Sequence, residues 1–476
     1  VQEETAAADT TKADKKSPQI AKILGTGLVK LIIGFKDVQF NYSESNGTLL
    51  PGFIPQPDIL GNRLSDMAPG LGFAFGSQQD IRAEAVRNGW ISADTLLNSA
   101  YVTRLTRNIT ARATYEPFPE FRLEFTADKT ESFGHQEYFK ANTDGEFRSS
   151  SPQDRGSFSM SFNTMKTAFS KDGDENVSPI FEEFKENRAI IAARLGAQNP
   201  NSNGTDSLGF PIGYGRASQD VLIPAFIAAY TGKDATKVNL SAFPKIPMPN
   251  WRFTYTGLSK IEFFKKYLKQ LTIGHAYRST YSVGNYISNV DFLENLGFAD
   301  GFDASGNFIP QNRIDIITIT EQFSPLINID MTWNNSLLSR IEIRKSRSLS
   351  LSFVNNQVTE IAGNELIIGV GYRFKDVKLN LSSGGRKQQL KSDLNIKLDL
   401  SVRDNKTVLR RLDEEINQIS TGNRMVSINS SADYMINQRF NLRLFFDKTI
   451  TNPFVSSQFP NSTTNAGVSL RFTLAQ

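Results

Sequence analysis

The chain contains no cysteine, so disulfides and thiolate metal sites are excluded. Its two histidines, His135 and His275, stand far apart and in no ligand-spaced motif, which gives no basis for a histidine metal box. Neither sign of charge dominates. Against 53 Lys and Arg stand 49 Asp and Glu, a net +4, which suits a solvated surface of mixed sign and not a nucleic-acid binder. Long apolar runs are also missing. A membrane helix needs roughly 20 apolar residues in a row, yet Leu28–Gly34 is broken by Lys30 and Val221–Tyr230 contains Pro224. The signatures GxxxxGK[ST], HExxH and GxSxG do not occur. The glycine-rich stretch Gly209–Gly215 contains Pro211 and follows no strand, so it reads as a loop. Asp413, Glu414 and Glu415 read as a solvated turn. No reaction, catalytic residue, cofactor or metal is assigned, and the chain reads as a non-enzyme.

What the chain does have is alternation. Leu394, Ile396, Leu398, Leu400 and Val402 interleave with Asp393, Asn395, Lys397, Asp399, Ser401 and Arg403. Val426, Ile428, Ala432 and Tyr434 oppose Ser427, Asn429, Ser431 and Asp433; Leu442, Leu444 and Phe446 oppose Asn441, Arg443 and Asp447. The pattern recurs at Val468–Leu474, Ile327–Trp333, Ile341–Phe353 and Leu366–Phe374, with a polar turn at Asn334–Ser336. Weaker runs lie at Val38–Tyr42, Ile109–Tyr115, Phe121–Phe125 and Phe158–Phe162. Period two means strands with one dry and one wet face, and roughly a dozen to sixteen of them are predicted. Several runs hold for about 9–11 residues, the length a tilted strand needs to cross hydrocarbon, where strands of soluble domains average about 5–6. A barrel wall also explains a mean hydropathy of only −0.33, because every second residue is polar. Thirty-five Phe and thirteen Tyr supply the aromatics that such walls carry at their interfaces. The predicted fold is therefore all-β: an antiparallel transmembrane barrel wall, with short helices in its inserts.

Four segments follow. Residues 1–33 begin with a polar stretch and read as a linker entering from upstream; the chain starts at Val1 without a charged-then-apolar signal peptide, which suggests a processed or cut end. Residues 34–170 carry strands with long connections, 171–248 a loop insert, and 249–476 the C-terminal strands. In the insert, Ser178 as N-cap and Pro179 at the first position predict a helix over 178–195, with Gly196 after its end. Its apolar stripe is Phe181, Phe184, Ile191 and Leu195. A second helix is predicted over Gln219–Tyr230, stopped before Gly232, and a third opened by a Ser259/Glu262 capping box with Ile261, Phe264 and Leu268 inward. Residues 284–312 read as a structured loop. These inserts are too small for a catalytic domain and suit covering a pore mouth or docking partners. On the wet face, Asp393, Lys397, Asp399, Arg403, Asp433 and Arg443 are the candidate pore-lining residues. In the last strand Asn465, Gly467, Leu470 and Phe472 match the spacing of a barrel-assembly signal: polar, Gly, apolar, aromatic.

Eight stretches carry a further likeness: PGLGFAFGSQQDIR (69–82), PAFIAAYTGKDA (224–235), PNWRFTYTGLSKIEFFKK (249–266), HAYRSTYSVGNY (275–286), SPLINIDMTW (324–333), RKSRSLSLSF (344–353), VRDNKTVLRRL (402–412) and RFNLRLFFDKTITNPFVSSQFP (439–460). They resemble the C-terminal region of the SprA/Sov family, the outer-membrane translocon of the type IX secretion system in Bacteroidetes. The resemblance implies a piece of a much longer chain and a share in an exceptionally wide barrel. It implies export of folded proteins that bear C-terminal sorting domains. It also implies, as partners, the remainder of the barrel, a PorV-type barrel protein, a plug protein, a periplasmic prolyl isomerase, secreted cargo and outer-membrane lipid. The alternatives are a self-contained porin or outer-membrane transporter, and a soluble β-rich adhesin or binding module.

Overall fold

A computed structural model describes residues 34–383, 386–414, 416–437 and 440–472. The linker expected over 1–33 lies outside the described residues. The alternating runs become β1 (Phe35–Leu49), β2 (Tyr101–Tyr115), β3 (Phe121–Ala141), β4 (Phe147–Ser161), β5 (Asn250–Tyr255) and β6 (Leu268–Ser288). After a small hairpin, β7 (Glu294–Asn295) with β8 (Phe298–Ala299), and a short β9 (Asn312–Ile314), come β10 (Ile316–Trp333), β11 (Leu337–Ser352) and β12 (Gln357–Ser383). The last four are β13 (Arg386–Arg411), β14 (Asn417–Asn437), β15 (Phe440–Pro453) and β16 (Asn461–Phe472). One antiparallel sheet runs β1-β2-β3-β4-β6-β10-β11-β12-β13-β14-β15-β16, with β5 between β3 and β6, and β9 on β6. The protein is thus dominated by a single large antiparallel sheet. Among the described residues β1 pairs only with β2 and β16 only with β15, so the sheet is open at both edges.

Strand register carries one face across the whole sheet, because directly paired residues point the same way. Ile341 opposes Ile368, Ile368 opposes Leu400, Leu400 opposes Ile428; further on, Ala432 opposes Leu444 and Leu444 opposes Val468. At the other edge Val38, Phe40 and Tyr42 of β1 oppose Ala113, Ala111 and Ile109. Sixteen apolar members of this face are exposed: Val38, Phe40, Tyr42, Ile327, Ile341, Ile343, Leu366, Ile368, Val370, Ile396, Leu398, Leu400, Leu444, Phe446, Val468 and Leu470. From Leu394 to Val402 the belt extends about 27 Å along the strand at ~3.4 Å per residue.

Aromatic side chains mark one rim of the belt. Phe35 meets Tyr115 at 4.9 Å between ring centroids, Phe121 meets Tyr255 at 6.1 Å, Tyr372 meets Phe374 at 4.6 Å and Phe440 meets Phe472 at 6.2 Å. The connections at this rim include the short ones, 116–120 and the polar turn Asn334–Ser336, where Ser336 takes the left-handed conformation at φ 70. The opposite rim carries the long connections 50–100 and 289–315.

One strand lane is interrupted. β4 and β5 lie end to end between β3 and β6, and the chain leaves the sheet after Ser161 and returns at Asn250. The insert therefore begins earlier than the expected 171. Its two stems are stitched together: Ser161 Oγ donates to the Met248 carbonyl at 2.6 Å, and Met248 N–H donates to the Ser161 carbonyl at 3.0 Å. The insert holds helices α1 (Pro179–Gln198) and α2 (Gln219–Thr231). Gly232 closes α2 in the left-handed conformation at φ 61, as expected of a C-terminal glycine.

Other local expectations are corrected. α1 starts at Pro179, but the Ser178 side chain makes no capping bond. The helix also runs through Gly196 to Gln198: a Cβ there would meet the Pro211 ring at 2.6 Å, so this glycine permits close packing of the following loop and not helix termination. The Ser259/Glu262 box does not form. Ser259 Oγ donates to the Thr256 carbonyl, the helix is a single turn over Glu262–Lys265, and Ile261 is exposed. β6 continues to Ser288, so the structured loop starts later than 284.

The insert packs on the same face as the belt, at the long-loop end. Phe181, Phe184 and Ile191 of α1 and all of Val221–Thr231 are buried against Phe158, Met160, Tyr281, Val283, Ile317, Ile319, Leu349, Leu351 and Val358 of the sheet. Residues 50–91 form a smaller core with Tyr101 around Trp90, Ile81 and Leu50.

Candidate conduit face

Because side chains alternate, the residues between the apolar positions all emerge on the opposite face. Lys397 opposes Gly371 and Ser431; Asp399 opposes Gly369 and Asn429; Asp433 opposes Asn395 and Arg443. All six sequence-predicted residues thus share one surface. Asp393 pairs with Arg373, and Asp433 lies 3.8 Å from Arg443. Arg403 Nε donates to Asn405 Oδ1 at 3.1 Å. Lys397 and Asp399 line a shallow cleft of about 210 Å³ with Asp330 and Arg340, opened by the bare backbone of Gly369 and Gly371. A Cβ on Gly369 would lie 2.4 Å from Asp399 Oδ1.

The surface extends beyond the residues singled out from sequence. Arg340 lies 3.7 Å from Asp330 and pairs with the buried Glu342; Arg344 bridges Glu342 at 2.5 Å and Glu365 at 3.4 Å. A second hollow, about 650 Å³, lies over β2, β3, β5 and β6 and is lined by Arg112, Glu124, Asp128, Arg252 and Arg278. The signal that could have found them was present: opposite charges on the wet positions of neighbouring strands. It becomes legible only once register is known. Chemically, the described part of the face mixes both signs, some of them in ion pairs. It offers hydration and weak, sign-balanced contacts.

The assembly-signal residues divide between faces. Leu470 and Phe472 pair with Leu442 and Phe440 on the apolar side, while Asn465 and Gly467 pair with Asp447 and Phe445 on the charged side. A Cβ on Gly467 would meet the Phe445 ring at 2.8 Å, so the glycine makes room for that ring.

Some charged residues depart from this division, and two of them are buried arginines. Arg347 and Arg410 sit on the apolar face under the insert, both buried. Arg347 meets Glu321 at 3.0 Å and donates to the Thr167 carbonyl and hydroxyl at 3.1 and 3.0 Å. Arg410 meets Glu360 and Asp172 at 3.0 Å each and donates to Asn417 Oδ1 at 3.1 Å. Tyr230 of α2 completes the site: burial pushes its hydroxyl far above the ordinary range, so it stays neutral beneath the Arg347 guanidinium, 6.0 Å from the ring centre. Neither a family model nor a curated protein matches this chain.

Proposed function

We propose that this chain forms part of the wall of a wide outer-membrane β-barrel, the protein-conducting pore of a type IX secretion system, with its apolar face in lipid and its charged face lining the conduit. The observation that carries the reading is the apolar face that strand register carries across the sheet, with exposed members on β1, β10 to β13, β15 and β16. A soluble protein rarely leaves an apolar patch of more than a few hundred Å² in water. In a bilayer the same belt is in its proper solvent. Along a strand tilted by ~40°, about 27 Å projects to ~21 Å, near the ≈ 25 Å band of outer-membrane barrels. Aromatics at one rim and unequal loop lengths at the two rims are the habits of such walls.

The open edges favour a share in a larger barrel over a self-contained porin. Among the described residues β1 and β16 each leave one side of the strand unpaired. In hydrocarbon an unpaired backbone group costs several kcal/mol, so two such edges cost on the order of tens of kcal/mol. Further strands of the same barrel remove that cost. The translocon identity rests on the eight quoted stretches. Within it, the sign-balanced face would let folded cargo slide without sticking, and partner barrels or plugs would meet the wall's rims and edges. The exposed belt counts against the soluble adhesin.

Fractionation and secretion test this together. The polypeptide should remain with outer membranes through alkaline and high-salt washes and leave only with detergent, and its depletion should trap proteins with C-terminal sorting domains in the periplasm. Release without detergent, or undiminished secretion, contradicts the proposal.

A further inference from the structure

The belt does not stop at the sheet. Where β10 bulges between Phe323 and Ile327, the first turn of the insert, Met165–Thr167, folds down over the wall. Thr164, Thr167 and Ala168 are buried, while Met165, Lys166, Phe169, Ser170 and Lys171 are exposed, a one-sided turn. The buried side is fixed by hydrogen bonds, two of them to charged groups: Thr164 Oγ donates to Glu321 at 2.6 Å, Thr164 N–H to the neutral Tyr277 hydroxyl at 2.9 Å, and Arg347 holds Thr167. Thr167 Oγ donates to the Tyr230 carbonyl at 2.7 Å, which ties the turn to α2. The exposed side is therefore presented rigidly.

What it presents is half apolar and half cationic. The Phe169 ring lies 5.2 Å from Phe323 and is 50 % exposed; the next register pair of β10 and β11 beyond Phe323 and Lys345 is Ile327 and Ile343, the margin of the belt. The Lys345 ammonium, one outward-facing step along β11 from Ile343, lies 4.8 Å from the centre of the same ring. Lys166 donates to the Gly232 carbonyl at 3.3 Å, and Lys171 is exposed two residues beyond Phe169. The nearest acid in sequence, Asp172, is engaged by Arg410 at 3.0 Å and Lys406 at 3.7 Å.

We infer that the turn 165–171 is a membrane-surface foot, with Met165 and Phe169 in the acyl margin and Lys166, Lys171 and Lys345 on the phosphates of anionic lipid headgroups. This rests on the wall reading. An apolar anchor flanked by lysines, continuous with a surface already in hydrocarbon, is what an interfacial element requires. Lysines near a bilayer surface attract anionic headgroups, so the three would enrich anionic over zwitterionic lipid locally several-fold.

The absence of cysteine allows a direct test. The barrel that contains this chain, with all its strands present, is reconstituted in vesicles of mixed anionic and zwitterionic phospholipid and receives one cysteine at a time in this chain, labelled with a fluorophore: Phe169→Cys, Met165→Cys, Leu400→Cys in the belt and the exposed Leu208→Cys in the insert. Brominated lipids then quench by contact. The expected result is strong quenching at 400 by bromines deep in the chain, at 165 and 169 by bromines near the headgroup, and none at 208. Brominated anionic lipid should quench 169 roughly 3- to 10-fold better than zwitterionic lipid at equal mole fraction. Lys166→Gln, Lys171→Gln and Lys345→Gln together should bring that ratio to about one. Added inorganic phosphate should leave it unchanged; full competition by phosphate overturns the headgroup assignment. Quenching at 400 without quenching at 165 or 169 overturns the foot and leaves the wall. No quenching at 400 overturns both.

Discussion

Arg410 and Asp172 stand 238 residues apart in the chain and meet at 3.0 Å, with the guanidinium fully enclosed and shared with Glu360. That contact joins the insert to β13 across four strand lanes of the sheet. Removing one partner of a buried pair strands the other charge, which costs about 3–5 kcal/mol. Arg410→Ala should therefore loosen the 170–178 segment by that order. Limited proteolysis of the folded protein should show new cleavage there, while Arg410→Lys cleaves less. Equal resistance of all three proteins would show that the pair does not hold the insert.

Opposite faces of neighbouring residues should respond oppositely to charge. Ile368→Lys places an ammonium in the belt, where a cation at the bilayer midplane costs about 2–4 kcal/mol. Asn429→Lys places one on the charged face, directly opposite Asp399 and Asp447. Membrane-assembled protein should fall for the first substitution and stay near normal for the second, measured as the detergent-extracted folded fraction.

Gly467 should be a steric position. Gly467→Val drives a branched side chain into the Phe445 ring and should weaken β15–β16 pairing by about 1–3 kcal/mol, the usual cost of overpacking. Phe445→Ala in the same chain should recover most of the lost assembly. A double variant no better than Gly467→Val would mean that the glycine serves some other need.

Charge balance on the conduit face should govern retention of cargo. Asp399→Asn with Asp433→Asn leaves Lys397 and Arg443 unbalanced and should slow release of acidic cargo more than basic cargo, read from secretion rates at low and high salt. Screening should narrow the difference, because exposed charges interact over about one Debye length. Unchanged rates for both cargo classes would remove electrostatics from the transport mechanism.

The strands were legible because alternation is a local signal, and the six charged candidates share one face because parity alone decides it. The start of α1 was legible from Pro179 and the end of α2 from Gly232. What lay beyond the sequence was anything set by contacts distant in the chain. Gly196 resembles a helix stop until Pro211 is seen against it. Ser259 has a capping partner at the right spacing but bonds backward to Thr256. Arg347 and Arg410 sit at dry positions and read as breaks in the pattern, since their partners Thr167 and Asp172 arrive on an insert that leaves the wall in mid-lane.

Lipid contact along β13 tests the central claim most directly. With single spin labels at successive positions from Leu394 to Arg403, relaxation by oxygen, which concentrates in hydrocarbon, should be high at 394, 396, 398, 400 and 402 and low between them, while a water-soluble nickel reagent gives the inverse pattern. A profile without this alternation, or water access at both sets of positions, would contradict the account.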